Sequence, residues 1–319
     1  MNIKKIGLTA LAGSLVASSA FAGEMSVAGG ASINVEHING GAADTGKAWS
    51  MGNQLTFSGS GELDNGMTVA LSFVLDQGDN ADGVAGSAES PFDSHSVTIS
   101  SDALGSLKFS GEGGSSATSA LDTTAAGDIW DAYDIATTVH PTGIGGGSNS
   151  MYYTLPSLMD GLSIAASYAP TGSGAVGTEA ASGMSATYTG VDGLSVSYGT
   201  GDGATANTSA EALKASYAYG PLTVAYSNYE FDADGSTSDD DTTAYKVSYT
   251  VSDEISLSYG TETITRPTKE DVETSRISAS YTAGGMTITA TMDEIENMDG
   301  STTATQDRER WALGASFAF

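Results

Sequence analysis

The chain has 319 residues, no cysteine and a formal net charge of −28, from 39 acidic and 11 basic residues. Without cysteine it has no disulfide, no thiol nucleophile and no thiolate metal site. Its strong negative charge repels nucleic acid and anionic lipid and attracts cations, so no nucleic-acid partner is predicted.

The first residues have the pattern of an export signal. Two lysines precede an apolar stretch, Ile6 to Val16, and the small-x-small tripeptide that ends at Ala22 is a cleavage site. The apolar stretch is shorter than the ~20 residues that a membrane-spanning helix needs, and no other segment approaches that length. We therefore predict a signal peptide over residues 1–22. The mature chain, residues 23–319, keeps nine basic and 39 acidic residues, a net charge of −30.

From Gly23 onward, segments of about ten alternating apolar and small polar residues are separated by turns. Tight turns such as Asp192-Gly193 alternate with longer acidic or Gly/Ser-rich connections, which is typical of a barrel with two unlike rims. The sequence predicts one all-β domain, residues 23–319, folded as a 16-stranded antiparallel transmembrane β-barrel with long extracellular loops and short periplasmic turns. The predicted strands are 24–35, 49–63, 67–75, 94–101, 106–111, 150–155, 162–169, 182–190, 194–200, 210–219, 222–231, 242–251, 255–265, 273–282, 286–294 and 307–319.

The last strand shows the alternation best, because successive side chains of a strand point to opposite faces. One face carries Trp311, Leu313, Ala315, Phe317 and Phe319. The other face carries Arg308, Arg310, Ala312, Gly314 and Ser316. A soluble β-sandwich would also alternate, but it would have little use for cations and hydroxyls on the second face of every strand.

Taken together, the export signal, the sixteen segments, the alternating connections and the C-terminal aromatic residue resemble the general diffusion porins of Gram-negative bacteria, especially those of α-proteobacteria. The most specific element is Ala318-Phe319 with Phe317 before it, which in that family is recognised by the outer-membrane assembly machinery. The Pro-Glu-Phe-Gly-Gly stretch of enteric porins is missing here. The resemblance therefore implies the architecture and the function class, and no constriction residues.

The longest connection, residues 112–149, is the third of the long ones, and a loop of this length is usually functional. In porins that resemble this chain, the third loop folds into the lumen and narrows the pore. Trp130 and Tyr133 are available to hold it against the wall. The alternative is a solvated surface loop. The acidic residues predicted to line the constriction are Asp122, Asp128, Asp131 and Asp134.

Six of the nine basic residues of the mature chain occupy lumen-facing positions. The loop leaves between strands five and six and faces strands thirteen and fourteen across the barrel, and most of these cations lie on strands ten to sixteen, around that side. We predict a transverse field that orients dipolar solutes and separates the cation path from the anion path. The alternative is that the cations neutralise wall carboxylates such as Glu262 and Asp293. The predicted basic wall residues are Lys108, Lys214, Lys246, Arg276, Arg308 and Arg310.

Membrane-facing tyrosines occur only on strands seven to fourteen, where amphipathic rings suit the lipid interface. Strands one to five have none, and small residues such as Gly29, Ala31, Gly59 and Gly61 occupy their outward positions and permit close protein contact. We predict a homotrimer through strands 1–5, with strand 16 beside them, and outer-membrane lipid around the rest. Chance variation in the tyrosine distribution is the alternative.

The sixth long connection carries an oxygen-rich cluster that is a candidate for weak Ca²⁺ binding and for bridging to anionic lipopolysaccharide. It lacks the terminal bidentate glutamate of a calcium loop, and solvated, mutually repelling acid is the ordinary explanation. No other cofactor is predicted. The cluster consists of Asp232, Asp234, Asp239, Asp240 and Asp241.

The three histidines occur in no nucleophile or metal motif, so no enzyme is predicted. We predict an outer-membrane channel for passive diffusion of small hydrophilic solutes and ions, with a preference for cations because the chain is acidic. The alternative is a surface-binding or adhesive barrel with a plugged lumen. Small lumen-facing residues on strand after strand favour the open channel.

Overall fold

The computed structural model of the protein describes residues 25–40, 47–76, 92–133, 144, 146–172, 174–233, 235, 239–302 and 306–319. Within them, sixteen strands form one closed antiparallel barrel in which sequence neighbours pair and the first strand pairs with the last. The predicted sixteen-stranded barrel is confirmed. The strands are β1 (Met25–Asn39), β2 (Ala48–Glu62), β3 (Thr68–Asp76), β4 (Phe92–Ser101), β5 (Gly105–Glu112), β6 (Ser150–Thr154), β7 (Leu162–Ala169), β8 (Ala181–Tyr188), β9 (Leu194–Asp202), β10 (Ser209–Tyr219), β11 (Leu222–Asp232), β12 (Asp240–Thr250), β13 (Ile255–Thr265), β14 (Val272–Ala283), β15 (Met286–Glu296) and β16 (Arg308–Ala318).

Three short 3₁₀ helices, Ser119–Leu121, Ile129–Tyr133 and Met298–Gly300, lie in the long connections. No helix in the described ranges has both the length and the apolar character needed to span a bilayer. The predicted signal peptide, residues 1–22, lies outside the described residues.

The strand ends agree with the alternation pattern, with one exception. Every predicted end lies within two residues of the observed end, except that β1 was expected to stop at residue 35 and continues to Asn39. The pattern breaks there because Ile38 faces inward, where it packs against an apolar cluster inside the barrel. Pairing with β16 carries the strand on, with Ile38 opposite Arg310.

The barrel closes where the two ends of the chain meet. The Gly29 amide donates to the Phe319 carbonyl at 2.7 Å, and the Phe319 amide donates back to the Gly29 carbonyl at 3.0 Å. The Phe319 ring lies so close to Gly29 that a Cβ there would overlap it, which explains the small residue at this outward position. The terminal aromatic residue is therefore part of the seam.

Large apolar side chains cover the outside of the barrel. Ile277, Met292 and Met184 are among the most exposed, as expected where lipid rather than water surrounds the strands. The buried apolar residues lie inside the barrel, between the third long connection and the inner wall. The core of the molecule is therefore a loop packed on a wall, at mid-lumen.

Candidate functional site

The described part of the third long connection lies in the lumen and is attached to the wall at several points. The Ala117 amide donates to Ser167 Oγ on β7 at 2.8 Å. Further along, the Ala125 amide donates to Ser227 Oγ on β11 at 2.8 Å. Between them, Lys214 Nζ on β10 donates to the Thr123 carbonyl at 2.6 Å. The described part of this connection therefore lies inside the barrel rather than on its surface.

Apolar packing holds the loop around residues 129–133. Ile129 and Tyr133, which begin and end a 3₁₀ helix, are 0% and 2% exposed. They share a cluster with lumen-facing apolar residues of the wall, among them Ile264 on β13 and Ile295 on β15. Burying large apolar side chains away from the water of the lumen stabilises the loop against this side of the barrel. Trp130 packs at the edge of the same cluster.

Glu262 on β13 lies beneath the loop and is 1% exposed. Thr124 Oγ1 donates to one of its oxygens. The Trp130 amide donates to the other at 3.2 Å, and so does Thr274 Oγ1 at 3.3 Å. The carboxylate is thus satisfied by three donors, two of them from the loop. The interpretation of Glu262 as a partner of wall cations does not hold, because its partners are loop groups and a hydroxyl.

Five lumen-facing residues form a row across β12 to β16, each directly opposite the next: Lys246, Gly260, Arg276, Asp293 and Arg310. The row on its extracellular side contains Glu262, on which the loop rests. Gly260 makes room for the loop, since a Cβ there would come within 3.0 Å of the Ala126 methyl group. The basic row therefore lies immediately on the periplasmic side of the loop.

Asp293 joins two arginines of this row. Arg276 donates to both of its oxygens, from Nε at 2.7 Å and from Nη2 at 3.0 Å. Arg310 donates to it from Nη1 at 2.6 Å and to Glu36 from Nε at 2.9 Å and Nη2 at 2.6 Å. The chain of ion pairs runs from β14 to β1 and crosses the closing seam. Arg276 and Arg310 thus neutralise Asp293, as the alternative prediction for the wall cations proposed.

The loop and this row enclose a cavity of about 460 Å³. Asp128 and Asp131 line it from the loop, and Arg276 and Arg310 line it from the wall. Two predicted acidic residues and two predicted basic residues are thus brought together. The remaining lining residues are Asn34, Gly127, Ala132, Thr289, Thr291, Ala312 and Gly314.

Two loop carboxyl groups have perturbed acidity. Burial raises the pKa of Asp122, and the nearby negative charge of Asp128 raises it further. Burial also raises the pKa of Asp128, although hydrogen bonds from Thr124 oppose the effect. The positive charge of Lys214 lowers the pKa of both carboxyl groups and so opposes the effect of burial. Asp122 and Asp128 therefore both lie near Lys214, and Asp128 also faces the arginines across the cavity.

The other predicted site residues are more scattered. Lys108 is exposed on β5, away from the cavity, and Arg308 lies opposite Ile295 at the edge of the apolar cluster. Asp134 lies outside the described residues. Sequence reasoning missed Glu36 and Asn34, because the predicted first strand ended at residue 35 and its inward face was not followed. Extending the parity of β1 by one residue would have placed Glu36 in the lumen.

The aspartates of the sixth connection are not gathered at one point. Asp240 and Asp241 are consecutive on β12 and therefore point to opposite faces. Asp240 is ion-paired with Arg266, while Asp241 accepts from Asn228 at 2.8 Å. Asp232 and Asp239 are described, whereas Asp234 lies outside the described residues. In the described ranges, no group of three acidic or histidine side chains is arranged to hold a metal. Calcium binding at this connection stays a prediction.

Comparison with known proteins gives one family. A family model described as Gram-negative porin matches residues 7–270. No curated protein matches the sequence. Among solved structures, an anion-selective porin from Comamonas acidovorans is 17% identical over 93% of this chain and 99% of its own, with a TM-score of 0.66. A mutant of the Rh. blastica porin is 15% identical over 93% of this chain and 100% of its own, with a TM-score of 0.69.

Proposed function

This chain belongs to the Gram-negative porin family, and from that premise we propose that its lumen is a cation-preferring channel whose narrowest section is formed by residues 112–149. As a family member it is an outer-membrane β-barrel that serves diffusion of small solutes, and it is not an enzyme. The alternative of an adhesive barrel with a plugged lumen has no support in the family match.

One observation carries the proposed cation preference: the two arginines that line the cavity are ion-paired with wall carboxylates, whereas the two loop aspartates that face them are not. The two arginines of the cavity share their charges with Asp293 and Glu36. Asp128 and Asp131 form no ion pair with any described residue. Fixed negative charge in a narrow section raises the local concentration of cations. The similar barrel from Comamonas acidovorans is described as anion-selective, so the proposed preference rests on the lumen residues of this chain and not on the shared fold.

Reversing a basic charge of the row should strengthen the cation preference. In Lys246→Glu and Arg276→Glu, made separately, we expect the reversal potential across a planar bilayer under a KCl gradient to move toward the cation value. A unit charge 4–8 Å from a passing ion contributes roughly 0.5–1 kcal/mol in water, so each change of sign should alter the permeability ratio by at least roughly two- to fivefold. Lys47→Glu is the control, because Lys47 is exposed on the connection between β1 and β2. If both variants gave the reversal potential of the unchanged protein, the proposed transverse field across the lumen would be refuted.

We further propose a homotrimer through the outward faces of strands β1–β5 and β16. Support comes from the exposed apolar residues Trp49 and Met51 of β2, and from the stacked rings of Phe57 and Phe73, whose centroids are 4.8 Å apart. Small residues beside these rings permit close approach. Lipopolysaccharide, and the assembly machinery acting through Phe317 and Phe319, stay predicted partners.

Because the chain has no cysteine, single thiols can test this interface. With a homobifunctional thiol reagent, Met51→Cys should give covalent oligomers in outer-membrane vesicles. Tyr217→Cys on β10, which is also outward and exposed, should stay monomeric because it faces lipid. Equal crosslinking at the two positions, or crosslinking only at Tyr217→Cys, would contradict the proposed interface.

A further inference from the structure

The connection between β15 and β16 turns back into the barrel. Met298 follows the extracellular end of β15, yet it is only 6% exposed. It belongs to the apolar cluster that contains Ile129 and Tyr133 of the third long connection. An extracellular connection therefore packs on the loop that occupies the lumen.

The backbone around Met298 is held in a conformation that most residues avoid. Asn297 has φ 54° and ψ 35°, and Asp299 has φ 64° and ψ 14°, so two residues with side chains lie in the left-handed region. Gly300 follows with φ 69°. Such a run persists only where the surroundings maintain it, and it is concentrated in functional segments. Its effect here is to direct Met298 inward.

The turn is also tied to the neighbouring extracellular connection, between β13 and β14. Asn297 Nδ2 donates to the Asp271 carbonyl at 3.1 Å, and the Glu270 amide donates to the Gly300 carbonyl at 3.3 Å. Lys269 Nζ donates to the Asp299 carbonyl at 3.3 Å. Two extracellular connections therefore form one unit above the cluster.

From this packing we infer that Met298 is a positioning residue for the third connection, so that the extracellular turn 297–300 sets the place of the loop in the lumen. The unbranched thioether of methionine fills irregular gaps, which suits a contact between two loops. On the wall side, Glu262 accepts a hydrogen bond from the 3₁₀ helix Ile129–Tyr133 and holds it in place. On the extracellular side, Met298 packs in the same apolar cluster as Ile129 and Tyr133. The inference rests on the proposed function only in treating this loop as the narrowest section.

The test reads the loop position directly, with a thiol in the cavity. Ala132 lines the cavity, and Ala132→Cys supplies the only thiol in the chain. Adding Met298→Ala should raise the rate of modification by a small water-soluble thiol reagent several-fold and make single-channel currents noisier, because the loop is held on fewer sides. Met298→Leu should restore both values.

Matched variants separate this effect from a general loss of packing. Met292→Ala removes a methionine that is 69% exposed on the outside of β15 and should leave the thiol rate unchanged. Gly300→Ala should act like Met298→Ala, since its Cβ would lie 2.7 Å from the Lys269 Cβ and displace the turn. Gly284→Ala imposes a similar backbone strain, at φ 57°, in an open periplasmic turn and should have no effect.

The outcomes distinguish this inference from the proposed function. Unchanged thiol rates in both Met298→Ala and Gly300→Ala would overturn the inference. Faster modification with unchanged channel currents would support it and would contradict the loop as the narrowest section. If Met298→Ala fails to fold, Gly300→Ala decides alone, because it displaces the turn without removing any apolar side chain of the cluster.

Discussion

Replacing Asp293 with asparagine is expected to shift the channel toward anions and to destabilise the barrel more than any other single charge removal in the lumen. Asp293 is 1% exposed and accepts from two arginines on either side of it. Without its charge, Arg276 loses its ion-pair partner among the described residues, and Arg310 keeps only Glu36 of its two. Breaking a buried ion pair costs about 3 kcal/mol, at the lower end of the usual range because both guanidinium groups reach the water of the lumen.

Two measurements check this result: the reversal potential in planar bilayers, and the free energy of unfolding by denaturant in lipid vesicles. Glu294→Gln is the matched control, because it removes one charge from the next residue of the same strand, on the outward face. If both variants shift the reversal potential equally, the total charge of the protein, and not the ion-pair chain, sets the selectivity.

Replacing Glu262 with alanine is expected to release the loop from the wall. The Trp130 amide, Thr124 Oγ1 and Thr274 Oγ1 would all lose their acceptor. A buried donor left without a partner costs about 1–3 kcal/mol. The loss should be near the lower end for each donor, since the water of the lumen can enter as the loop moves. Single-channel recordings should show larger and more variable conductance, together with a lower midpoint of thermal unfolding.

Two variants make that result specific. Glu262→Gln keeps one acceptor oxygen and should give an intermediate effect. Glu62→Ala removes an exposed lumen carboxylate near the periplasmic end of β2, and it should leave conductance steady because no described loop group binds it. A steady, unchanged conductance in Glu262→Ala would show that the loop stays in place without this carboxylate.

Much of the fold was predictable because strand alternation is a local property. Each membrane strand separates lipid from water, so its residues alternate with a period of two wherever nothing else covers them. The pattern therefore placed all sixteen strands. It failed at the end of β1, where inward Ile38 is covered by the apolar cluster and breaks the alternation.

The site was predictable in composition and less so in arrangement. Loop acids and wall cations were both foreseen, and Asp128, Asp131, Arg276 and Arg310 do line one cavity. An apolar residue on a lumen face, such as Ile264, indicates that another part of the chain packs over it. These inward apolar residues therefore mark the part of the wall on which the loop rests, and they are the sequence feature that the prediction overlooked.

The sequence by itself determined the barrel, its two rims, the face of each side chain and the family resemblance, because all of these follow from local periodicity and from the two ends of the chain. Only the tertiary structure decided which charges neutralise each other and what holds the loop. Arg310 pairs with Glu36 across 274 positions of sequence, and Thr124 reaches Glu262 across 138. The first pair meets only when the closed barrel brings β1 and β16 together, and the second only when the loop folds into the lumen, so no local pattern encodes them.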